Sequence, residues 1–179
     1  MHQDHWEKEI DKVTEKFLDS FGSLTESQLN YKPAPNVWSI AQNIDHLILL
    51  NNSYFQNFDE IKTRKHVLPP INQMEQFANS SSQTLRPYTS VKRSNKTDTW
   101  NIWQPSRETF GLEILKEFTN HQSSFKLHIK ALHAFFLHPT FIKYPGEAEL
   151  AFRLEDCIDF LIEHENRHWI QAHEVKQVL

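Results

Sequence analysis

The sequence predicts an all-α protein, a four-helix bundle with a long crossover between its second and third helices. The chain of 179 residues contains only three glycines, and its eight prolines fall in three zones, at 33–35, 69–105 and 139–145. Four long proline-free segments remain, in which apolar residues recur every three or four positions, the period of an amphipathic helix. Such helices bury their stripes against one another, so a single domain over residues 1–179 is expected.

The first two helices carry the clearest local signals. An apolar stripe predicts helix one from about residue 4 to 22, and "TESQ" at 25–28 has the form of a capping box for one short further turn. Ser39 and Gln42 form a second capping box, at the start of a helix that runs to about residue 64. Trp38 precedes that cap, as a hydrophobic staple would. The two stripes are Trp6, Ile10, Val13, Phe17 and Phe21 in helix one, and Ile44, Leu47, Ile48, Phe55 and Phe58 in helix two.

The crossover, residues 66–105, is rich in Ser, Thr, Asn, Gln and Pro and carries the basic residues Arg86, Lys92, Arg93 and Lys96. Unstructured connections of this length are uncommon in compact domains. The segment is therefore expected to be either a functional cover over a site or a mobile crossover. Trp100 and Trp103 near its end predict that at least this part docks.

Two further helices complete the predicted fold. Helix three is expected to follow Ser106 as its cap, and its stripe comprises Phe110, Ile114, Phe118, Phe125 and Leu132. Helix four is expected to start between Gly146 and Leu154 and to run to about Lys176.

Composition excludes several classes of partner. The formal net charge is −4, so no overall basic field is available for nucleic acid or an anionic membrane. No apolar run approaches the roughly 20 residues of a membrane span, and the charged start "MHQDHWEKEIDK" does not read as a secretory signal. Cys157, the only cysteine, cannot form an intrachain disulfide and is expected to be a small buried hydrophobe. These features predict a soluble, cytoplasmic protein.

The spacing of His164 and His168 predicts two metal ligands on the last helix. Residues four apart project from the same face of a helix, and this pair shares an apolar stripe that faces the interior. His46, on the more polar side of helix two, offers a third imidazole. Three neutral imidazoles leave positions on a divalent ion open for water or substrate, as in catalytic sites. Zinc or nickel is favoured by nitrogen ligands, and manganese or iron is the alternative.

The large number of histidines leaves alternative roles open, both for the predicted ligands and for the other histidines. With 11 histidines in the chain, a pair of this spacing also arises by chance, and the residues could be structural. His121 and His128, near the stripe of helix three, are candidates for a further ligand or a proton carrier. The remaining histidines are assigned to helix ends, loops or the surface: His2, His5, His66, His133, His138 and His173.

The residues beside the predicted ligands, and the site motifs that the sequence lacks, limit the classes of reaction that can be expected. Glu163, Glu165 and Asp45 each neighbour a predicted ligand and are interpreted as groups that support a ligand or lie at the surface. Glycine-rich phosphate loops, G-x-S-x-G and C-x-x-C are absent from the sequence. "HENRH" at 164–168 has the H-E-x-x-H spacing of a zinc protease but lacks the downstream third ligand, and the helical chain offers no substrate-aligning strand, which argues against a metalloprotease.

Three stretches, "NVWSIAQNIDHLILL", "LHPTF" and "CIDFLIEHENRHWIQ", together resemble the DinB/YfiT-like superfamily, a group of proposed metal-dependent enzymes. The resemblance covers nearly the whole chain in the expected order. It implies a four-helix bundle with an up-down-down-up arrangement, frequent homodimers and a divalent metal held by three histidines. Carried over to this chain, the ligands are His46, His164 and His168, and His138 lies in the His-Pro turn, where a structural role is implied.

The resemblance also implies classes of reaction. Some members are thiol S-transferases that join a low-molecular-weight thiol such as bacillithiol to reactive compounds, and others are mycothiol-dependent isomerases. A thiol S-transferase-like activity is therefore the favoured expectation, with the crossover supplying substrate contacts and its basic residues meeting an acidic thiol cofactor. The alternatives are a metal-dependent hydrolase and a non-catalytic metal-binding or damage-response bundle.

Overall fold

A computed structural model describes residues 2–89, 99–146 and 149–179, and the described chain is mostly helical. The prediction of an all-α fold class is confirmed at this level. The helices are α1 His2–Phe21, α2 Glu26–Leu29, α3 Ile40–Lys62, α4 Met74–Thr89, α5 Glu113–Ala131 and α6 Leu154–Lys176, with 3₁₀ turns at Asn101–Trp103 and His133–Leu137.

Four long helices enclose the core. Helix α1 contacts α5 and α6, and α3 contacts the same two helices. Every residue of the stripe predicted for helix one is buried, as is that of helix two except for the half-buried Ile48. The core therefore lies where the predicted stripes converge.

Both predicted capping boxes are present. The hydroxyls of Thr25 and Ser39 accept hydrogen bonds from the backbone amides of Gln28 and Gln42, and the two glutamine side chains accept from the cap amides in return. Each box satisfies two backbone donors that the first turn of a helix leaves unpaired. The start of α3, which carries His46, is thus fixed by local sequence.

The start predicted for helix three is wrong. Helix α5 begins at Glu113, and Ser106 instead donates both its backbone amide and its hydroxyl to the carboxylate of Asp45 on α3. Phe110 is buried but lies before the helix, where both its backbone polar groups bond to the Asn30 side chain. Tertiary partners thus hold residues 106–110 in a non-helical conformation. Helix α6 begins and ends as predicted.

The crossover contains helix α4, which was not predicted from the sequence. It packs against strand β2 (Ala151–Arg153) and α6, with Ala78 and Ser81 on its buried side. These small residues give a weak apolar pattern, which explains why the helix is not evident from hydrophobic periodicity. Lys92, Arg93 and Lys96 lie outside the described residues, as does the side chain of Arg86, so their predicted contacts with a cofactor stay predictions.

A short hairpin precedes α6 and is a second feature missed from the sequence. Strands β1 (Phe141–Lys143) and β2 (Ala151–Arg153) pair antiparallel, with Ile142 opposite Phe152. Three residues per strand are too few to show a period-two pattern.

Among the described helices, none combines the length and the hydropathy that crossing a bilayer requires.

Candidate metal centre

The structure brings His46 on α3 together with His164 and His168 on α6. Each offers a ligand atom, and these atoms all lie within 4.8 Å of one another. The Nε2 atoms of His46 and His164 are 3.0 Å apart. Two nitrogens that are each about 2.1 Å from one ion lie about 3.0 Å apart when they subtend a right angle. The separation therefore suits two adjacent ligands of a single ion.

Hydrogen bonds fix the ring nitrogen that two of these histidines present to the site. His46 Nδ1 lies 2.7 Å from the carbonyl oxygen of Trp103, which can only accept, so Nδ1 carries the proton. His168 Nδ1 lies 2.8 Å from Oδ1 of Asn43, whose amide nitrogen donates to the Ser39 carbonyl, so this Nδ1 also donates. Both rings keep an Nε2 lone pair. Metal-binding histidines are typically oriented in this way.

The surroundings of His164 also favour its role as a metal ligand. Its Nδ1 is buried and has no hydrogen-bond partner among the described residues, while its Nε2 faces that of His46. With the His164 proton on Nε2, this contact is a hydrogen bond to the Nε2 lone pair of His46; with the proton on Nδ1, both Nε2 lone pairs are available to a cation. The donor set and its geometry thus fit a divalent ion held by these three histidines.

Burial keeps the imidazoles of His46 and His164 in the neutral form. It lowers the pKa of His46 to about 4, although the hydrogen bond to the Trp103 carbonyl acts in the opposite direction. Burial also lowers the pKa of His164 well below its usual value, and the nearby His46 and Arg167 lower it further. Both rings are therefore unprotonated at neutral pH, the state in which histidine binds metals.

Aromatic rings cover the cluster on two sides. The Trp38 ring lies 4.9 Å from that of His46 and stacks on that of His168, with centroids 5.9 Å apart. The Phe160 ring stacks on His164 at 5.9 Å. Trp38 thus covers the rings of His46 and His168. Its interpretation as a hydrophobic staple at the start of α3 did not predict these contacts. Such shielding lowers the local dielectric and strengthens electrostatic interactions in the site.

Glu165 is fully buried next to His164 in sequence. Its carboxylate accepts hydrogen bonds from the Asn51 amide at 2.7 Å and from the Gln122 amide at 2.9 Å. Burial raises the pKa of Glu165 to about 7, against the effect of these two bonds. Asn51 and Gln122 were not predicted as site residues, although amides within buried helical faces are a usable signal for a buried charge.

The remaining histidines lie outside the cluster. His121 is 6% exposed and stacks on Phe55, whose ring also stacks with His128, so neither of the two is brought to the three-histidine group. The surface assignment of His66 is wrong, because its side chain is only 6% exposed and bonds both the Glu60 carboxylate and the Lys143 amide. Cys157 is buried, and burial raises the pKa of its thiol.

Replacing His121 with phenylalanine is expected to make the protein less sensitive to acid. Burial, with a contribution from His128, lowers the pKa of His121 to about 4 from its ordinary 6.5. The folded state therefore binds fewer protons than the unfolded state, and stability present above pH 6.5 is lost as pH falls towards 4, by about 3 kcal/mol. Urea unfolding of metal-free protein between pH 4 and 8 measures this. An identical pH dependence in wild type and His121→Phe would contradict the prediction.

Comparison with known proteins adds one finding. A protein-family model described as the DinB superfamily matches residues 9–172, a span that includes all three clustered histidines. No curated protein and no solved structure matches the chain.

Proposed function

Because the chain belongs to the DinB superfamily, we propose that it is a divalent-metal-dependent enzyme whose ion is held by His46, His164 and His168. The observation that carries this proposal is the cluster of three buried imidazoles, two of them oriented by hydrogen bonds to Trp103 and Asn43. Zinc or nickel is favoured for an all-nitrogen donor set, with manganese or iron as alternatives. Residues 1–179 would form one four-helix-bundle domain that holds this ion.

The favoured reaction is transfer of a low-molecular-weight thiol onto an electrophile. When bound, the ion would supply acidity, lowering the pKa of a thiol or water that it coordinates. In the transfer, the sulfur forms a bond to an electrophilic carbon, the thiol proton is released, and the leaving group departs with its bonding electrons. The chain's own part is to orient the ligands through Trp103 and Asn43 and to limit water through Trp38 and Phe160.

Titration of the cobalt-loaded protein with thiols tests this activity. A thiolate-to-metal charge-transfer band that saturates with thiol, followed by thioether formation when an alkylating electrophile is added, is the expected result. The matched control is His164→Ala treated in the same way, which should give neither signal. Absence of the band for bacillithiol, cysteine and glutathione alike would overturn the transferase assignment.

The same assays separate the two alternatives. Cleavage of esters or amides by the metal-loaded protein, independent of thiol, would identify a hydrolase in which water takes the place of the thiol. Stoichiometric metal binding with neither activity would identify a non-catalytic metal-binding or damage-response protein. A homodimer and a cytoplasmic location are part of the proposal, and sedimentation equilibrium of the metal-loaded protein tests the first of these.

A further inference from the structure

The segment from Thr99 to Arg107, here called the strap, includes the end of the crossover and lies on the face of α3 that carries His46. Its Trp103 carbonyl accepts the Nδ1 proton of His46, and the Trp103 indole donates to the Ser53 hydroxyl at 3.1 Å. Trp103 is 3% exposed and its ring meets that of Tyr144 edge to face at 5.4 Å. The strap is therefore fixed between α3 and the residue that follows β1.

Asp45 anchors the other end of the strap. One of its carboxylate oxygens accepts the Ser106 backbone amide at 2.6 Å, and the other accepts the Ser106 hydroxyl at 3.1 Å. Asp45 is 8% exposed, so water competes weakly for these bonds. Hydrogen bonds to an ionised acceptor are stronger than those between neutral groups.

The anchor lies close to the carbonyl that orients the ligand. Only Gln104 and Pro105 separate Trp103 from Ser106, and proline restricts its own backbone torsion and that of the residue before it. A displacement of Ser106 would therefore be transmitted to the Trp103 carbonyl. Asp45 itself directly precedes His46 on α3, and it projects about 100° away around the helix, towards the strap.

We propose that Asp45 is a positioning residue for the metal site: by anchoring the strap at Ser106, it holds the Trp103 carbonyl against His46 and so fixes the ring orientation and tautomer of this ligand. The inference rests on the proposed metal-binding function and assigns to the strap a part in that same site. It also gives the end of the crossover a defined role. Supporting groups of this kind commonly change metal affinity by about 10–100-fold when they are removed.

Asp45→Ala is expected to weaken cobalt or zinc binding by about 10–100-fold in a chelator competition. Asp45→Asn should bind nearly as well as wild type, because its amide can accept from the Ser106 amide and donate to the Ser106 hydroxyl. Ser106→Ala removes only one of the two bonds and should fall between them. Asp59→Ala is the matched control, since Asp59 is a carboxylate on the same helix whose side chain is 58% exposed.

Nitrogen-15 chemical shifts of the His46 imidazole in metal-free protein provide a second readout, which a general loss of stability would not produce. Wild type should show a proton on Nδ1 alone, whereas Asp45→Ala should show a mixture of tautomers. Unchanged affinity and tautomer in folded Asp45→Ala and Ser106→Ala would overturn the inference. If wild type binds no ion, the proposed function fails, and the tautomer measurement still decides whether Asp45 positions His46.

Discussion

Replacing His164 with alanine is expected to abolish stoichiometric metal binding. Wild type should retain about one ion per chain after incubation with zinc, nickel or manganese and removal of excess metal. Loss of a direct ligand should lower affinity by more than about 100-fold, because loss of a group that merely orients a ligand already costs 10–100-fold. Mass-spectrometric metal analysis of untagged protein measures the stoichiometry.

Two variants sharpen this experiment. His46→Ala should lose the ion as well, although it lies on a different helix, because its Nε2 is 3.0 Å from that of His164. His5→Ala is the control, since its side chain is 64% exposed on α1 and remote from the cluster in sequence. Full stoichiometry in His164→Ala and His46→Ala would place any bound ion elsewhere, and no uptake by wild type would leave the histidines structural.

Thermal unfolding gives an independent check on the same variants. A ligand that binds only the folded state stabilises it by an amount that grows with the logarithm of its concentration over the dissociation constant. Wild type should therefore show a metal-dependent increase in Tm that chelation reverses. The increase should be absent in His164→Ala and His46→Ala and preserved in His5→Ala.

The features that the sequence predicted correctly depend on neighbours within one or two helical turns. Ser39 and Gln42 form the capping box of α3 because both partners lie in the same first turn. The stripe of α1 likewise follows from a single period, and the pairing of His164 with His168 follows from four-residue spacing. The meeting of His46 with His164 depends on the register between α3 and α6, which the spacing of residues within one helix does not contain.

The features that were missed depend on distant partners. Ser106 has the chemistry of a cap, but the Asp45 carboxylate binds its amide and hydroxyl from 61 positions away. Glutamate is usually a surface residue, yet Glu165 is buried. Hydrogen bonds from the Asn51 and Gln122 amides offset the cost of burying its carboxylate. In both cases the deciding interaction is a hydrogen bond between separate elements, and local propensity gives no account of it.

The buried Glu165 leads to the second large effect, on stability rather than metal binding. Asn51→Leu removes one of the two amides that bond the carboxylate, and should lower the free energy of unfolding by about 2–3 kcal/mol, the cost of an unpaired buried charge. The measurement is urea unfolding of chelator-treated protein at pH 8.5, above the Glu165 pKa of about 7, so that the carboxylate is ionised. Gln56→Leu, an exposed amide on the same helix, is the control and should change stability by no more than about 0.5 kcal/mol.

A double-mutant cycle separates this charge effect from the loss of Asn51 itself. In a Glu165→Leu background no carboxylate remains to be stranded, so Asn51→Leu should cost little, giving a coupling energy of about 2 kcal/mol. The coupling should decrease at pH 5.5, because Glu165 is then protonated, leaves no charge to be stranded, and can donate to Oε1 of Gln122, a buried oxygen without a hydrogen-bond partner among the described residues. Additive effects at both pH values would show that Asn51 does not stabilise the ionised carboxylate. A coupling that depends on pH in this way would establish that α3 and α6, the helices that carry the three histidines, are joined by a hydrogen-bonded buried charge next to His164.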